Sequence, residues 1–194
     1  MIQIRSLCVF CGSRFGVNKA YRETAVQMGM LMARRGVRLI YGGGSVGLMG
    51  VIADTVLASG GEVVGVIPDF LIQAEVGHNH LTDQVVTNSM HERKQRMFEM
   101  ADGFVILPGG LGTLDEAFEI ITWKQLRLHN LPIVVVNVGD YWAPLVALVD
   151  NGVAAGFAPS AARSLFTVVS SPDEVFPALE SAPRPQAKGP IGHI

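Results

Sequence analysis

Nine residues, Pro108-Gly109-Gly110-Leu111-Gly112-Thr113-Leu114-Asp115-Glu116, constrain the fold of this chain more than any others. They follow Phe104-Val105-Ile106-Leu107, an apolar run that reads as a buried strand. They precede Ala117-Phe118-Glu119-Ile120-Ile121, which reads as a helix. Three glycines at a strand-to-helix junction let backbone N–H groups approach a ligand with no Cβ in the way. The helix start adds unpaired donors and the positive end of its dipole, which together suit an anion. Glu116 lies one turn further in, and an acid beside a bound anion points to chemistry at that place.

Short apolar runs alternate with helix-period segments along the rest of the chain, the pattern of a parallel sheet covered on both faces. Strands are expected at 7–11, 38–41, 63–67, 84–87, 103–107, 132–138 and 166–169. Helices are expected at 18–35, 47–59, 90–101, 113–128, 142–151 and 172–180. Val134-Val135-Val136, with no polar alternation, marks a central strand buried on both sides. The expected fold is α/β: one domain over residues 1–180, a doubly wound, Rossmann-like, mostly parallel sheet with helices on both faces. Residues 181–194, rich in Pro, Ala and Gly, are expected to form a disordered tail. In such sheets ligands bind beyond the carboxyl ends of the strands. The loops at 12–13, 42–47, 68–81, 88–94 and 108–116 all fall at that edge, so one crevice is expected.

Composition narrows the function classes. With 194 residues, 49% hydrophobic and 16% charged, the chain can bury a sizeable core. A net charge of −2 provides no field for nucleic acid or an anionic membrane. The longest uncharged stretch, residues 39–53, carries five glycines and is too short to span a bilayer. Strand-like sequence begins almost at the first residue, so no signal peptide and a cytoplasmic location are expected. Cys8 and Cys11 form a lone C-x-x-C inside an apolar strand, with only His78 and His80 as further ligand candidates in a distant loop. They read as two small buried thiols, and no metal site is expected. The soft segment Met28-Gly29-Met30-Leu31-Met32-Ala33 reads as core or as a partner surface, with core preferred.

Three motifs have competing readings. Gly42-Gly43-Gly44-Ser45-Val46-Gly47 matches G-x-G-x-x-G between a strand and a helix, with Asp69 at the end of the next strand. That is compatible with a dinucleotide-binding loop and a reductase, or with glycines that serve tight helix–strand packing. Thr113-Leu114-Asp115-Glu116 is compatible with a capping box, in which Thr113 caps and Glu116 returns to its N–H. Ser89-Met90-His91-Glu92-Arg93-Lys94 opens a further helix, where Glu92 suits the dipole but Arg93 and Lys94 oppose it. A bound phosphate would neutralise the two cations.

With these motifs in order, the chain resembles the Lonely guy family, the cytokinin riboside 5′-monophosphate phosphoribohydrolases. The resemblance runs from Cys8-Val9-Phe10-Cys11-Gly12-Ser13 through Gly42-Gly43-Gly44-Ser45-Val46-Gly47-Leu48-Met49-Gly50 to Met90-His91-Glu92-Arg93-Lys94. It continues through the 108–116 loop into Ile121-Thr122-Trp123-Lys124-Gln125-Leu126. Arg14, where a second small residue is usual, and Asp115, where Glu is common, depart from the family pattern. The resemblance implies a catalytic pair at Arg93 and Glu116. It also implies nucleotide contacts at Glu75, Lys94, Gly109, Gly110, Leu111, Gly112, Thr113, Leu114, Asp115 and Thr122. The implied reaction is hydrolysis of the N-glycosidic bond of an adenosine 5′-monophosphate, N6-substituted or plain, without cofactor or metal, in a homodimer. A carrier or sensor of a nucleotide or cofactor on the same fold is the alternative. A lysine decarboxylase, a label often given to such chains, needs a Schiff-base lysine, and neither Lys94 nor Lys124 lies in a recognisable setting for one.

Overall fold

The computed structural model describes residues 4–75 and 77–183, with side chains omitted at 73–75. Seven strands form one parallel sheet: β1 (Ser6–Phe10), β2 (Arg38–Tyr41), β3 (Val63–Pro68), β4 (Asp83–Thr87), β5 (Gly103–Ile106), β6 (Ile133–Val136) and β7 (Thr167–Val169). Their spatial order is β4-β3-β2-β1-β5-β6-β7. The chain therefore winds outward from β1 in one direction and then restarts at β5 in the other. Each strand expected from the sequence is present, within one or two residues at its ends.

Among the described residues six α-helices connect the strands, α1 (Lys19–Arg34), α2 (Gly47–Ala58), α3 (Asp69–Glu75), α4 (Met90–Glu99), α5 (Leu111–Gln125) and α6 (Ala143–Ala154), and α7 (Val175–Ser181) follows β7. Helix α3 occupies a stretch expected to be loop. It is short and weakly patterned, so periodicity could not single it out. Helix α5 begins at Leu111, two residues before the expected Thr113, with Gly110 as its N-cap. Ser181, placed in the expected tail, still belongs to α7, and residues 184–194 lie outside the described residues.

Alternation along the strands sorts side chains onto two faces. Leu7, Val9, Leu39, Tyr41, Val105 and Val134 share one core with α1, α2 and α7. Cys8, Phe10, Ile40, Phe104, Ile106 and Val135 share the other with α4, α5 and α6. In the second core Phe98 stacks on Phe104 with ring centroids 5.8 Å apart and meets Trp123 edge-on at 5.3 Å. Burying a side chain of this size contributes roughly 1.5–3 kcal/mol.

One sequence ambiguity narrows and another closes here, with Met30 of the methionine-rich segment left exposed. Met28 and Met32 are fully buried, and a Cβ on Gly29 between them would stand 2.9 Å from Thr55 Cβ, so that segment of α1 is a close seam against α2. Cys8 and Cys11 face opposite cores and cannot chelate together. Burial, reinforced by the negative charge of Glu116, pushes both thiols well above their ordinary range. His78 pairs instead with Asp54 on α2 at 2.9 Å. Among the described residues no three ligating side chains form a metal-binding group, and no helix is long and apolar enough to cross a membrane.

Candidate active site

The winding reverses between β1 and β5, so the loops that leave those strands diverge and open a crevice at their carboxyl ends. Backbone hydrogen bonds stitch its walls together. Gly12 N donates to Pro108 O at 3.0 Å, tying the β1 loop to the β5 loop. Leu48 N and Met49 N, at the start of α2, both donate to Gly12 O, at 2.9 and 3.3 Å. Gly47 has φ +63°, and a Cβ there would lie 2.2 Å from the Ser13 carbonyl carbon. The G-x-G-x-x-G loop therefore packs against a neighbouring loop, and its helix-start donors are engaged by a protein carbonyl. The packing reading of those glycines fits this geometry, whereas a dinucleotide pyrophosphate would need the same N–H groups.

The second glycine loop is arranged differently. Because α5 starts at Leu111, Thr113 is not its cap, and the capping-box reading fails on position. Leu114 N donates to Gly110 O at 3.0 Å as the first full helical bond. The N–H groups of Leu111, Gly112 and Thr113 precede it and are the orphan donors of the first turn. Leu111 and Gly112 are exposed, and Thr113 is buried beneath the loop. A Cβ on Gly109 would meet Thr113 Oγ1 at 2.1 Å, so the glycine lets that side chain pack underneath.

Glu116, one turn further, points into the protein and finds Arg93 of α4. Arg93 Nη1 lies 3.1 Å from Glu116 Oε1, and both residues are buried. The guanidinium is held from two more sides: Nε donates to the Val66 carbonyl at 3.0 Å, and Nη2 to the Gly42 carbonyl at 3.4 Å. Strand β3, the loop that follows β2 and helix α5 thus hold the one cation that α4 carries. The position of Gly42 also requires a bare α-carbon, since a Cβ would stand 2.1 Å from Nη2.

The start of α4 shows how a helix carries cations against its dipole. Ser89 Oγ accepts from Glu92 N at 3.1 Å, and Glu92 Oε2 accepts from Asn88 N at 2.9 Å, so the terminus is capped by its own side chains. Arg93 is neutralised by Glu116, and Lys94 by Glu119 at 2.9 Å and Asp115 at 3.2 Å. Protein carboxylates thus do what the sequence reading gave to a phosphate. Burial alone would pull Lys94 down, but its bonds to Glu119 and Asp115 outweigh that and hold the ammonium above its usual range.

Of the expected site residues, Arg93, Gly110, Leu111, Gly112, Thr113 and Glu116 line one pocket of about 200 Å³, together with Ser13, Met49, Leu71 and Met90. Gly109 lines an adjoining pocket of about 540 Å³ with Arg14, Tyr21 and Tyr141. The two share Gly12, Ser13, Gly110 and Leu111 as a common wall. Other expected contacts lie elsewhere in this protomer. Leu114 packs against the core and its N–H is engaged. Asp115 and Thr122 are exposed on the outer side of α5, and Lys94 is bonded to that side. Glu75 ends α3, and its side chain lies outside the described residues. Ser13, Leu71 and Tyr141 are not among the expected contacts, although the 12–13 and 68–81 loops are expected at this edge. Ser13 sits in a quoted motif, but nothing in the spacing marks Leu71 or Tyr141.

Comparison with known proteins places this geometry among relatives. A family model described as "Possible lysine decarboxylase" matches residues 49–179. The chain is 43% identical over 178 residues to the cytokinin riboside 5′-monophosphate phosphoribohydrolase of Rhodococcoides fascians, covering 91% of this chain and 90% of that one. It is 41% identical over 170 residues to the enzyme of the same name from Oryza sativa subsp. japonica, covering 88% and 69%. Among solved structures, the molybdenum cofactor binding protein of Rippkaea orientalis matches with a TM-score of 0.70 at 17% identity, over 93% of this chain and 98% of that one. At that identity the likeness concerns the fold alone.

Proposed function

The chain belongs to the Lonely guy family of cytokinin riboside 5′-monophosphate phosphoribohydrolases, and from that premise we propose how its crevice works. It is a hydrolase that splits the N-glycosidic bond of an N6-substituted adenosine 5′-monophosphate into free base and ribose 5-phosphate. The observation that carries the reading is the buried Arg93–Glu116 pair beside a helix start with free amide donors.

The 5′-phosphate sits against the N–H groups of Gly110, Leu111 and Gly112 and the Thr113 hydroxyl, where donors and dipole favour negative charge. Binding energy from this non-reacting end orients the ribose. As the C1′–N9 bond breaks, its electron pair leaves with the base and C1′ becomes cationic. Glu116 stabilises that cation and takes a proton from the water whose oxygen bonds to C1′; the base gains a proton from solvent. Arg93 compensates the carboxylate and faces the departing base or phosphate.

A decarboxylase reading finds no support in the lysines. Lys94 is bound by two carboxylates, and Lys124 donates to the Leu131 carbonyl at 3.0 Å while burial holds its pKa down. Neither lines the crevice. A carrier role would leave a buried ion pair at the ligand site without a task. The proposal includes a homodimer in the cytoplasm. The outward placement of Lys94, Asp115 and Thr122, all implied nucleotide contacts, supports a second copy against the outer side of α5.

The test is product analysis: purified protein incubated with 5′-monophosphates of varied base and N6 substituent. Free base and ribose 5-phosphate in equal amounts support the reading; intact nucleotide with every substrate overturns it.

A further inference from the structure

Three consecutive carbonyls of the Pro-Gly-Gly loop are each held by a protein donor. Pro108 O accepts from Gly12 N and Gly110 O accepts from Leu114 N, both at 3.0 Å. Between them, Gly109 O accepts from the Tyr141 hydroxyl. Two of these latches are backbone; the middle one is a side chain from the connection that follows β6.

That middle latch acts on the weakest peptide of the loop. Gly109–Gly110 has no Cβ on either side, so rotating the whole peptide unit meets little steric resistance. A trans peptide is planar, with its C=O and N–H on opposite sides. Holding the Gly109 carbonyl on the Tyr141 side therefore turns the Gly110 N–H the other way. A flipped unit would present a carbonyl oxygen where that donor stands, and an anion would be repelled.

Tyr141 is itself firmly staked. It follows two left-handed residues, Gly139 with φ 58° and Asp140 with φ 57°. Trp142 N donates to Asn137 Oδ1 at 2.6 Å, and Asn137 N donates to Val169 O at 2.8 Å. The Tyr141 ring meets Tyr21 edge-on with centroids 5.3 Å apart and Trp142 at 4.9 Å. These ring contacts fix the hydroxyl without depending on it.

We propose that Tyr141 is a positioning residue for phosphate: its hydroxyl holds the Gly109–Gly110 peptide in the orientation in which Gly110 N–H donates to the 5′-phosphate. This rests on the reading of the glycine loop as the phosphate seat. Tyr141→Phe removes the oxygen and keeps the ring. With AMP as substrate, KM rises about tenfold while kcat stays within about twofold, the size of one charge-assisted hydrogen bond lost from binding. Adenosine, which lacks the phosphate, keeps its kcat/KM. Inorganic phosphate, as a competitive inhibitor and as a thermal stabiliser of the wild-type protein, loses the same factor in the variant. An unchanged KM with unchanged phosphate affinity overturns the proposal. So does a loss shared equally by adenosine and AMP, or a fall in Tm beyond about 4 °C, since each indicates a merely structural role. The phosphate arm needs no turnover, so the latch is still decided where every 5′-monophosphate stays intact, the result that sinks the enzymatic reading.

Discussion

Arg93 Nη1 and Glu116 Oε1 face each other at 3.1 Å with their side chains 8% and 9% exposed. Desolvating two charges offsets much of their attraction, so the pair adds little net stability as a pair. Removing one partner is different, because it strands the other. On the proposed reading, the crevice supplies a use for that charge.

Glu116→Gln keeps an acceptor of the same shape opposite Arg93 and removes the charge. Turnover of the nucleotide should fall by about two to four orders of magnitude, while nucleotide binding and fold are largely kept. Steady-state kinetics and equilibrium titration of the pure variant decide it. Near-wild-type kcat would strip Glu116 of its assigned role.

Gly42→Ala tests the seat of the cation rather than the cation. The new methyl stands 2.1 Å from Arg93 Nη2, and the guanidinium, bonded to Val66 and Glu116, must yield. The expected outcome is a kcat at least about tenfold lower, because a misplaced charged group forfeits its alignment. A crystal structure of the variant with Arg93 unmoved would contradict this account.

Gly47→Ala and Gly36→Ala separate backbone strain from collision. Both glycines have φ +63°, but a Cβ on Gly36 meets nothing within 4 Å, whereas one on Gly47 strikes the Ser13 carbonyl carbon at 2.2 Å. Gly36→Ala should cost about 1 kcal/mol, the left-handed penalty alone. Gly47→Ala should cost clearly more in urea titrations, since two loops must part. Equal midpoints would show that the stitch between them is slack.

Glu92 makes a pH-dependent contribution. The Asn88 N–H holds its carboxyl below the usual range, and the Asn88 side chain and Arg96 help against a modest desolvation. A carboxyl with a lowered folded pKa stabilises the protein above its unfolded value, near 4.5, and loses that contribution as pH falls through the folded one. Wild type should therefore exceed Glu92→Gln in urea midpoint near neutrality, and the curves should converge in acid. A gap that persists in acid would assign the effect to something other than charge.

Much of the fold could be read from the residues because strand patterns here are unbroken. Val134-Val135-Val136 and Phe104-Val105-Ile106 have no alternative to a doubly covered sheet. Helix α3 escaped because its seven residues hold less than two full helical repeats. At the site, the glycine loop and Glu116 were evident from composition at a junction, but the start of α5 was misplaced toward Thr113. Propensity favours Thr over Gly as a cap, but the first helical bond runs from Leu114 N to Gly110 O, which makes Gly110 the cap. Arg93 could be suspected from its clash with the dipole. Its anchors could not, since Val66 and Gly42 act through carbonyls, which every residue has. Tyr141 arrives from a distant connection, and no spacing records such a meeting.

The Gly12 carbonyl takes both Leu48 N and Met49 N at the mouth of α2, whereas the mouth of α5 has no side-chain cap. A descendant wanting a second phosphate berth at α2 would first have to unpick that joint, and in doing so loosen the wall on which Ser13 and the β5 loop depend. On the proposed reading, the crevice's room for a single phosphate is thus written into how its scaffold is fastened.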